Sequence, residues 1–509
     1  MACYVAVDIG SNSVRMQAAD VLPGRSTRVL ASDRVVTRLG ASVFSAGKVS
    51  TEAMTFVCQT LARMAETYRK LDVVGLRAVA TSAVRDAANQ QEFIERASEA
   101  LGTPVETISG QEEARLIHLG VQSQWPHPDR RILIVDVGGG SAEIILANDG
   151  ELVEAFSKPL GAVRLTEVFL KSDPPQEIEL HRMNEYIEEK LAAARRRIGS
   201  RNIDRVIATS ASAAAIVSAV HRIPRDRREV ADRLRATTRQ VRSVYQTLSQ
   251  QTLSHRRKVA GIGPRRAEII IAGIAVFLRA LEGFQRPSLY YSTAGVRDGI
   301  IVDLATRGVG RELSRLTREQ RAVVEQMARR YGVSVQHARQ VGNLTRSLFD
   351  SLSPLHGLPA EFGKLLEAAA FLHDVGHYVS DVAHHKHSYY LVVNSDMPGF
   401  TKAERTLIAM LCRYHRKTMP AAHHEAYHEL NSDSRKAVLF LAPLLRIADS
   451  LDRSHEQRVD KVACHLRSGS VVVQIQARAD TDLEQWASER VADVFRNVYD
   501  RPLNLVPAR

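Results

Sequence analysis

The sequence predicts an α/β protein in which two like domains are followed by an all-helical domain and a small α+β domain. Two segments open in the same way, with a strand, an acidic glycine-containing turn and a second strand. The third segment has helical periodicity almost throughout, and strand patterns return near the C-terminus. Because 509 residues are too many for one core, we expect domains at 1–124, 125–308, 309–456 and 457–509.

The first domain begins with a strand, in which Cys3, Val5 and Val7 alternate with other residues, and a second strand follows from Val14. Ser50 or Thr51 caps a helix whose apolar residues recur at three- and four-residue spacing. These residues are Met54, Val57, Leu61, Met64, Tyr68 and Leu71. Further strands are expected at Val73–Val79 and Val105–Ile108, and then a helix from Glu112.

The second domain repeats this opening. Ile132–Val135 and Ile144–Leu146 predict two buried strands, and Asn148-Asp149-Gly150 is typical of a hairpin turn into a third. The turn from Asp136 to Ser141 corresponds to the turn from Asp8 to Ser13 in the first domain. Such a duplication indicates two like domains that face each other across a cleft.

The C-terminal part is mainly helical. Thr317 and Gln320 form a capping box at the start of one helix, and further helices are expected near 333–352, 358–373, 401–414 and 433–453. The tail predicts strands at Val459–Leu466 and Val471–Ile475 and a closing helix.

Composition limits the function classes. Hydrophobic and charged fractions of 45% and 25% are ordinary for a soluble protein, whereas a net charge of +12 favours a polyanionic partner or simply a basic, solvated surface. The four cysteines are far apart, which argues against a disulfide framework or thiolate zinc site. Without a leader-like start or an apolar run long enough for a bilayer, we expect a cytoplasmic protein that binds neither membranes nor specific nucleic acids.

The two glycine-rich turns are candidate phosphate sites. A strand that ends in Asp and is followed by Gly and Ser directs a carboxylate and free backbone N–H groups to one point, where they can hold a cation and phosphate oxygens. Either turn alone could be no more than a tight turn, but two at matching places favour the phosphate site. Glu143 follows Asp136 by seven residues on the returning strand, so both carboxylates can reach the same cation.

Two further residues are candidates for the chemistry. Glu113 lies near the start of a helix, where a carboxylate can deprotonate a water or simply complement the helix dipole. Arg85 lies just beyond a strand end, where a guanidinium can bind phosphate or be an ordinary surface group.

These residues resemble the exopolyphosphatase/guanosine pentaphosphate phosphohydrolase family, whose fold is the duplicated actin-like (ribonuclease H-like) fold of actin, Hsp70 and sugar-kinase ATPases. The resemblance extends over almost the whole chain, so the chain is similar to the long, four-domain branch of the family. It rests on Asp8–Arg15, Ala80–Arg85 with Asn89, Ser109–Arg115, Asp136–Glu143, Ala294–Gly299, His387–Tyr390 to Phe400, and Arg413–Lys417.

The resemblance implies Glu113 as the catalytic base and Arg85 as the clamp on the terminal phosphate. It implies Asp136, Glu143 and Asp8 as Mg²⁺ ligands. The substrate ligands that it implies are Gly10, Ser11, Asn12, Ser13, Arg15, Gly138, Gly139, Gly140, Ser141 and Arg297. The expected activity is Mg²⁺-dependent release of orthophosphate from the end of inorganic polyphosphate, by a homodimer.

One stretch departs from the family pattern. Ala208-Thr209-Ser210-Ala211-Ser212 stands where relatives tend to have a Gly-Thr-x-Gly-Thr type turn, and its β-carbons would narrow the approach of a nucleotide. This favours polyphosphate over the alternative substrate, guanosine pentaphosphate. The same turn also argues against a further alternative, that the protein is an actin-like kinase or ATPase. A non-catalytic polyanion sensor is a further alternative, which Glu113, Asp136 and Glu143 together disfavour.

The helical segment carries a separate pattern. His337, His373-Asp374 and Asp449 reproduce the H…HD…D order of the HD metal-phosphohydrolase superfamily, and His377, His384, His387 and His415 are available for a second ion. Mixed imidazole and carboxylate ligands favour Mn, Fe or Co. Such a site could be a second phosphohydrolase centre acting on nucleotides or a structural ion; the alternative is that the histidines are merely packed or exposed.

Overall fold

In the computed structural model the chain divides into two units. Two mixed β-sheets form the framework of the first unit. Unit 1 is Met1–Arg307 and unit 2 is Gly308–Arg509. The structure describes residues 2–22, 27–199, 203–307, 314–467 and 469–507. The expected boundary at 308/309 lies outside the described residues, and the finer division into four domains remains a prediction.

The first sheet has the strand order β3-β2-β1-β4-β5. Strands β1, β2 and β3 pair antiparallel, whereas β4 joins β1 and β5 joins β4 in parallel. Its strands are β1 Ala2–Ile9, β2 Ser13–Val21, β3 Thr27–Val36, β4 Val73–Ala80 and β5 Val105–Thr107. The helices that accompany them are α1 Leu39–Ala46, α2 Thr51–Tyr68, α3 Ser82–Asp86, α4 Gln90–Leu101 and α5 Gly110–Gln124.

The second sheet repeats this order as β8-β7-β6-β9-β11 and adds β10 beside β11. Its strands are β6 Arg131–Val137, β7 Ala142–Asn148, β8 Glu151–Lys158, β9 Arg205–Thr209, β10 Arg235–Thr237 and β11 Ser288–Tyr291. Its helices are α6 Ala162–Phe169, α7 Glu177–Ile198, α8 Ser210–His221, α9 Thr238–Ser249, α10 Leu253–Arg256, α11 Ile270–Gly283 and α12 Val296–Thr306, with a 3₁₀ segment at Arg225–Ala231.

The turns after β1 and β6 have the same backbone geometry, which confirms the predicted duplication. Gly10 N donates to Ser13 O at 3.1 Å, and Gly138 N donates to Ser141 O at 3.0 Å. Two helix starts are also close to those expected. Ser50 caps α2, and Ser109 caps α5, which begins at Gly110 rather than Glu112. The Ser109 hydroxyl accepts from the Glu112 N–H and so fixes the first turn of α5.

Helices α5 and α12 cross in close contact, and buried charges join them to the first sheet. A β-carbon on Gly299 of α12 would lie only 1.8 Å from the Leu116 carbonyl oxygen of α5. Next to this crossing, Arg77, Arg115 and Asp303 are buried, and Asp303 accepts from both guanidiniums at 3.1 and 2.8 Å. Glycine at position 299 allows the two helices to approach this closely. The ion pairs of Asp303 then hold them in place.

Unit 2 is mainly helical and has its centre at α16, in which every residue from Gly363 to Leu372 is buried. The capping box of Thr317 and Gln320 is present at the start of α13. The helices are α13 Arg318–Arg330, α14 Val335–Ser351, α15 Ser353–His356, α16 Glu361–Leu372, α17 His384–Val393, α18 Lys402–Tyr414, α19 Glu425–His428 and α20 Ser432–Ser450, with a 3₁₀ segment at Val375–Tyr378.

A three-stranded sheet and one helix complete unit 2. The predicted strands are present as β12 Val459–Arg467 and β13 Ser470–Ala477, and the predicted helix as α21 Asp482–Tyr499. The prediction that this helix is the last element was wrong, because β14 Leu503–Pro507 follows it and pairs parallel with β13. This strand is only five residues long and its partner lies beyond a helix in the chain, so no local pattern announces it.

The described part of the chain contains no helix with both the length and the apolar character needed to cross a bilayer. All four cysteines are free, and Cys3 and Cys412 are buried.

Candidate active site

Four carboxylates meet at one end of the two sheets of unit 1. Asp8 and Asp136 are the penultimate residues of β1 and β6, and Glu143 lies directly opposite Asp136 on β7. Glu113 projects from the first turn of α5. Asp8, Asp136 and Glu113 line a cavity of about 280 Å³, whereas Glu143 is buried beside it and accepts from the Ser157 hydroxyl at 2.8 Å. The structure therefore brings together the candidate base and all three candidate Mg²⁺ ligands.

The two glycine turns meet at this cavity. A β-carbon on Gly139 would lie 2.9 Å from the Ser11 β-carbon, and one on Gly140 would lie 2.2 Å from the Ser82 hydroxyl. Ser11 and Ser82 hydroxyls are themselves 3.0 Å apart. Glycine is needed here because any side chain would push the two turns apart. The predicted phosphate ligands that line the cavity are Gly10, Ser11, Asn12, Ser13, Gly138, Gly139 and Ser141.

The carboxylates are held in an environment that favours their protonated forms. Burial raises the pKa of Asp136 to about 7 against the opposing charge of Arg15, and burial together with Asp136 raises the pKa of Glu143 to about 8. Burial and Glu143 raise the pKa of Glu113 well above its usual range. A cation among these groups would relieve their repulsion and restore their charge.

The arrangement fits a hydrated hard cation. Among the described residues, no three of these carboxylates have oxygens that all lie within 4.8 Å of one another. Mg²⁺ does not require such a cage, because it usually keeps several waters and binds one or two carboxylates together with substrate phosphates. Asp136 and Glu143, paired across two strands, are the nearest to a two-carboxylate site.

Arginines line the cavity together with the carboxylates. The predicted ligands Arg15 and Arg297 line it, and both act on Asp8, whose pKa is raised by burial but lowered by these two charges. Arg34 and Arg266 also line the cavity but are not among the predicted site residues. Arg266 lies in a basic stretch that the sequence shows, but Arg34 could be found only from the strand register, which places it opposite Arg15.

Arg85 lies beside the candidate base. Its guanidinium donates to the Ile108 carbonyl at 2.7 Å, and the same nitrogen is 3.7 Å from the Glu113 carboxylate. Glu113 Oε2 is buried without a hydrogen-bond partner in the described structure. Arg85 is therefore within reach of Glu113 while it remains partly exposed, and its contact with a phosphate stays a prediction.

The turn that differs from the family pattern, Ala208–Ser212, forms part of the cavity wall. Thr209, Ser210 and Ala211 line it, and Ser210 adopts the left-handed region with φ of 96° although it is not a glycine. The Ser212 side chain is buried and occupies the space in front of Gly273, where a β-carbon would lie 2.7 Å from the Ser212 hydroxyl. Side chains therefore fill this wall.

Unit 2 contains a separate histidine–aspartate cluster, built from the ends of five helices. His337 is in the first turn of α14, His373 and Asp374 follow α16, and Asp449 is in the last turn of α20. His384 begins α17, and His415 follows α18. The structure thus brings together all four residues of the predicted metal pattern.

The ligand atoms form two sets of close neighbours. In the first set, Asp449 Oδ1 is 3.5 Å from His337 Nε2 and 3.3 Å from His373 Nε2. In the second, Asp374 Oδ1 is 3.6 Å from His377 Nε2 and 3.5 Å from His384 Nε2. Each set satisfies the distances of a three-ligand cation site. His387 belongs to neither set.

Hydrogen bonds at Nδ1 fix the orientation of the His337 and His373 imidazole rings. His337 Nδ1 pairs with Asp452 at 2.8 Å, and His373 Nδ1 with the Ala370 carbonyl at 2.9 Å, so that the Nε2 atoms face the cluster. Burial alone would lower the pKa of His373, but Asp374 and Asp449 raise it to about 9. Gly376 allows α17 to approach, since a β-carbon there would lie 2.0 Å from the His384 carbonyl oxygen.

Family models match both parts of the chain. The model of the Ppx/GppA phosphatase family matches residues 19–308, and that of Ppx/GppA phosphatase domain III matches residues 319–487.

Solved structures give the same assignment. The Aquifex aeolicus member of the Ppx/GppA family is 29% identical, with 60% of this chain and 98% of that chain covered and a TM-score of 0.54. An exopolyphosphatase from Cytophaga hutchinsonii is 26% identical, with 59% and 97% covered and a TM-score of 0.55. The actin-like fold expected for the N-terminal half is confirmed, and because the first model spans more than half of the sequence, the chain belongs to the Ppx/GppA phosphatase family.

Proposed function

We propose that unit 1 is a Mg²⁺-dependent exopolyphosphatase, which releases orthophosphate from the end of inorganic polyphosphate. The observation that carries this proposal is the cavity in which buried carboxylates with raised pKa values face two apposed glycine turns and several arginines. Phosphoryl transfer needs mainly positioned charge and an oriented water. The cavity offers the charge, and Glu113 is a carboxylate that can orient the water.

Each predicted residue has a role in this proposal. Glu113 accepts a proton from the attacking water. Its Oε2 is buried without a hydrogen-bond partner in the described structure and lies 3.7 Å from Arg85. Asp136 and Glu143, with Asp8 nearby, hold Mg²⁺, which neutralises phosphate charge. The two turns and Arg15 and Arg297 bind the phosphates. Arg85 holds the terminal phosphate close to Glu113.

The cavity wall supports polyphosphate over guanosine pentaphosphate. Ser210 and Ala211 occupy the wall where an open glycine turn would be wanted for a nucleoside, whereas the phosphate-binding turns are free of such side chains at Gly10, Gly138 and Gly139. The same feature argues against a kinase or ATPase. The test is phosphate release with Mg²⁺ from long-chain polyphosphate, guanosine pentaphosphate and ATP. We expect the highest kcat/KM for polyphosphate; preference for either nucleotide, or no release at all, would contradict the proposal.

We further propose that the helical part of unit 2 is an HD-type domain that holds a transition metal, Mn, Fe or Co. Its ligands are His337, His373, Asp374 and Asp449. The first set of distances supports three of them, and Asp374 Oδ2 lies 3.6 Å from His373 Nε2. Purified protein should carry near-stoichiometric metal that a His373→Ala/Asp374→Ala variant loses, while polyphosphate hydrolysis continues. Equal metal content in the two proteins would contradict this. The homodimer and the cytoplasmic location remain predictions.

A further inference from the structure

Arg164, in the first turn of α6, joins two parts of the unit 1 site that are far apart in the sequence. Its Nε donates to the Gly140 carbonyl at 2.7 Å, and its Nη2 donates to the Asp86 carboxylate at the end of α3. We propose that Arg164 is a positioning residue for phosphate release, which aligns the turn at residues 138–141 with Arg85. This inference rests on the function proposed for unit 1 and adds to it a residue that is not among the described residues lining the cavity.

The first turn of α6 binds the carbonyl groups of the 138–141 turn. The Ala162 N–H donates to the Gly138 carbonyl at 3.0 Å, and the Val163 N–H donates to the Gly139 carbonyl at 2.9 Å. The Arg164 side chain extends this series to the next carbonyl. Because the C=O and N–H groups of a trans peptide point in opposite directions, the N–H groups that follow these carbonyls point away from α6. Arg164 thus helps to keep carbonyl oxygens, which repel a phosphate, turned away from the substrate.

The second bond of Arg164 restrains the helix that carries Arg85. This helix, α3, is five residues long, begins at Ser82, which lines the cavity, and ends at Asp86. Arg85 directly precedes Asp86, and its guanidinium lies 3.7 Å from the Glu113 carboxylate. A helix this short has few hydrogen bonds of its own, so the ion pair with Arg164 restrains the end at which Arg85 stands.

Phe44 of α1 supports this arrangement and explains why an arginine suits it. The Arg164 guanidinium carbon lies 4.0 Å from the centre of the Phe44 ring, and a β-carbon on Gly140 would lie 2.6 Å from the same ring. The ring therefore contacts the guanidinium and the turn together. A guanidinium presents its donors in one rigid plane and can bond a carbonyl and a carboxylate at once, whereas a lysine ammonium on a flexible stem has no such fixed directions.

The same contacts assign a role to Gly140. The resemblance implied Gly140 as a phosphate ligand, but it is not among the described residues that line the cavity. Its carbonyl accepts from Arg164, and a β-carbon on it would lie 2.2 Å from the Ser82 hydroxyl and 2.6 Å from the Ser11 hydroxyl. Gly140 is therefore the point at which the second glycine turn meets the first turn and α3, and Arg164 holds it there.

The first test is a double-mutant cycle in the full-length protein, with Arg164→Ala, Arg85→Ala and both changes together. We expect kcat for long-chain polyphosphate to fall about 100-fold in Arg164→Ala, because a misplacement of about 1 Å can cost that much. Most of the loss should lie in kcat rather than KM, since the arginines that line the cavity remain. The combined loss should be clearly smaller than the product of the two single losses, because Arg164 acts through Arg85. A combined loss equal to that product would overturn the proposal.

Two further variants separate positioning from loss of folding. Arg242→Ala is the matched control, because Arg242 also joins two helices of unit 1 through two bonds to one carboxylate, that of Glu282. Its kcat should equal that of the wild type. Asp86→Asn removes only the partly exposed ion pair, so it should lower kcat while the melting temperature stays unchanged. Wild-type kcat in Asp86→Asn would mean that Arg164 does not act on α3, and would also overturn the proposal.

The second test needs no substrate. Hydrogen-exchange mass spectrometry follows the backbone amides of residues 82–86 and 138–141 in the wild type, Arg164→Ala and Arg242→Ala. We expect faster exchange in both segments in Arg164→Ala alone, because one side chain restrains both. Unchanged exchange in either segment would show that Arg164 does not couple them.

These results distinguish a failure of this inference from a failure of the proposed function. Wild-type protein that releases no phosphate from polyphosphate, guanosine pentaphosphate or ATP would overturn the function proposed for unit 1, and this role with it. Phosphate release by the wild type, combined with independent losses in the cycle or unchanged hydrogen exchange, would overturn the role of Arg164 alone.

Discussion

Glu112 and Glu113 are adjacent in the first turn of α5 but have opposite electrostatic surroundings. Burial alone would raise the pKa of Glu112, but Arg115 and Arg77 lower it. Glu113 faces the other carboxylates, and burial with Glu143 raises its pKa. The surroundings therefore keep Glu112 charged within a structural network and favour Glu113 as the proposed base. The positions of these two neighbours in the sequence do not distinguish them.

Glu113→Gln should abolish polyphosphate hydrolysis while affinity stays within a few-fold of wild type, because a base acts on the transition state and the phosphate ligands set binding. Glu112→Gln is the matched control, and it should lower the melting temperature because Arg77 and Arg115 lose a buried partner. Steady-state kinetics, equilibrium binding and thermal denaturation measure the three effects. If Glu113→Gln kept more than about a tenth of kcat, less than the roughly 10²-fold loss expected, Glu113 would not be the base.

Asp136→Asn and Glu143→Gln should each raise the Mg²⁺ concentration needed for half-maximal activity, because removal of a charged oxygen weakens a hard-cation site. Glu151→Gln, on the exposed start of β8, is the control and should leave the Mg²⁺ requirement unchanged. Mg²⁺ titrations at saturating polyphosphate give the comparison. The same requirement in all three variants and wild type would place the cation elsewhere.

At the scale of elements, the crossing of α5 and α12 determines where Glu113 stands. Gly120 and Gly299 allow the two helices to touch, and buried ion pairs from Asp303 attach α12 to α5 and to β4. Glu113, the proposed base, is thus carried by a helix that is fixed at its crossing with α12. Stability at this crossing and catalysis at the nearby cavity should depend on the same few residues.

Gly299→Ala should destabilise unit 1 by about 3 kcal/mol, the upper end of the usual cost of overpacking, because a β-carbon 1.8 Å from the Leu116 carbonyl oxygen forces the helices apart. Gly342→Ala in α14 is the matched control. It is also a buried helical glycine, but its β-carbon would make ordinary contact with Phe371 at 3.4 Å. Removal of a helical glycine there should stabilise by about 0.5–1 kcal/mol. Denaturant unfolding compares the two, and equal effects would show that the crossing is not tight.

Asp303→Asn should lower the free energy of unfolding by about 3–5 kcal/mol, because it leaves buried guanidiniums without a full partner. Burial alone would raise the pKa of Asp303, but Arg115 and Arg307 hold it below its usual range. Stability from a lowered pKa is present above the unfolded value near 3.9 and is lost only at more acidic pH, so the difference from wild type should be constant from about pH 7 to 5. Asp33→Asn, which removes a surface pair with Arg63, should cost less than about 1 kcal/mol. A difference that shrinks over this pH range would contradict this assignment.

Residue patterns within short segments predicted the strands that carry the two glycine-rich turns. The features that these patterns missed depend on pairing between strands that are distant in the sequence. The Asp-Gly-Ser turns follow strands whose residues alternate or are continuously apolar, so β1, β6 and their turns were predictable. Arg34 enters the cavity only because β3 pairs with β2 in a particular register, and β14 exists only because β13 offers an edge. The closed wall at Ser210 depends on a left-handed φ that no residue type there indicates.

In the whole molecule, the two units offer different ligand chemistry. The cavity of unit 1 presents carboxylates, hydroxyls and backbone groups, and no histidine is among its described lining residues, which suits Mg²⁺ and phosphate. The cavity of unit 2 presents imidazoles with carboxylates, which suits transition metals. We therefore expect the two units to select different cations by ligand type, and a chelator that spares Mg²⁺ to affect only unit 2.

The net charge of +12 should make long-chain polyphosphate binding strongly dependent on salt. A polyanion held by several Lys and Arg side chains releases its counterions, so log affinity falls linearly with log salt. Binding to Glu113→Gln protein at fixed Mg²⁺ and increasing KCl measures this slope. Because Arg34 and Arg266 line the cavity, Arg34→Gln/Arg266→Gln should reduce the slope by about 1 for each phosphate that a replaced arginine binds in the wild type. Arg197→Gln, on an exposed helix and paired with Glu154, should leave it unchanged. A flat wild-type profile, or an equal reduction of the slope in both variants, would mean that the cavity arginines do not bind polyphosphate.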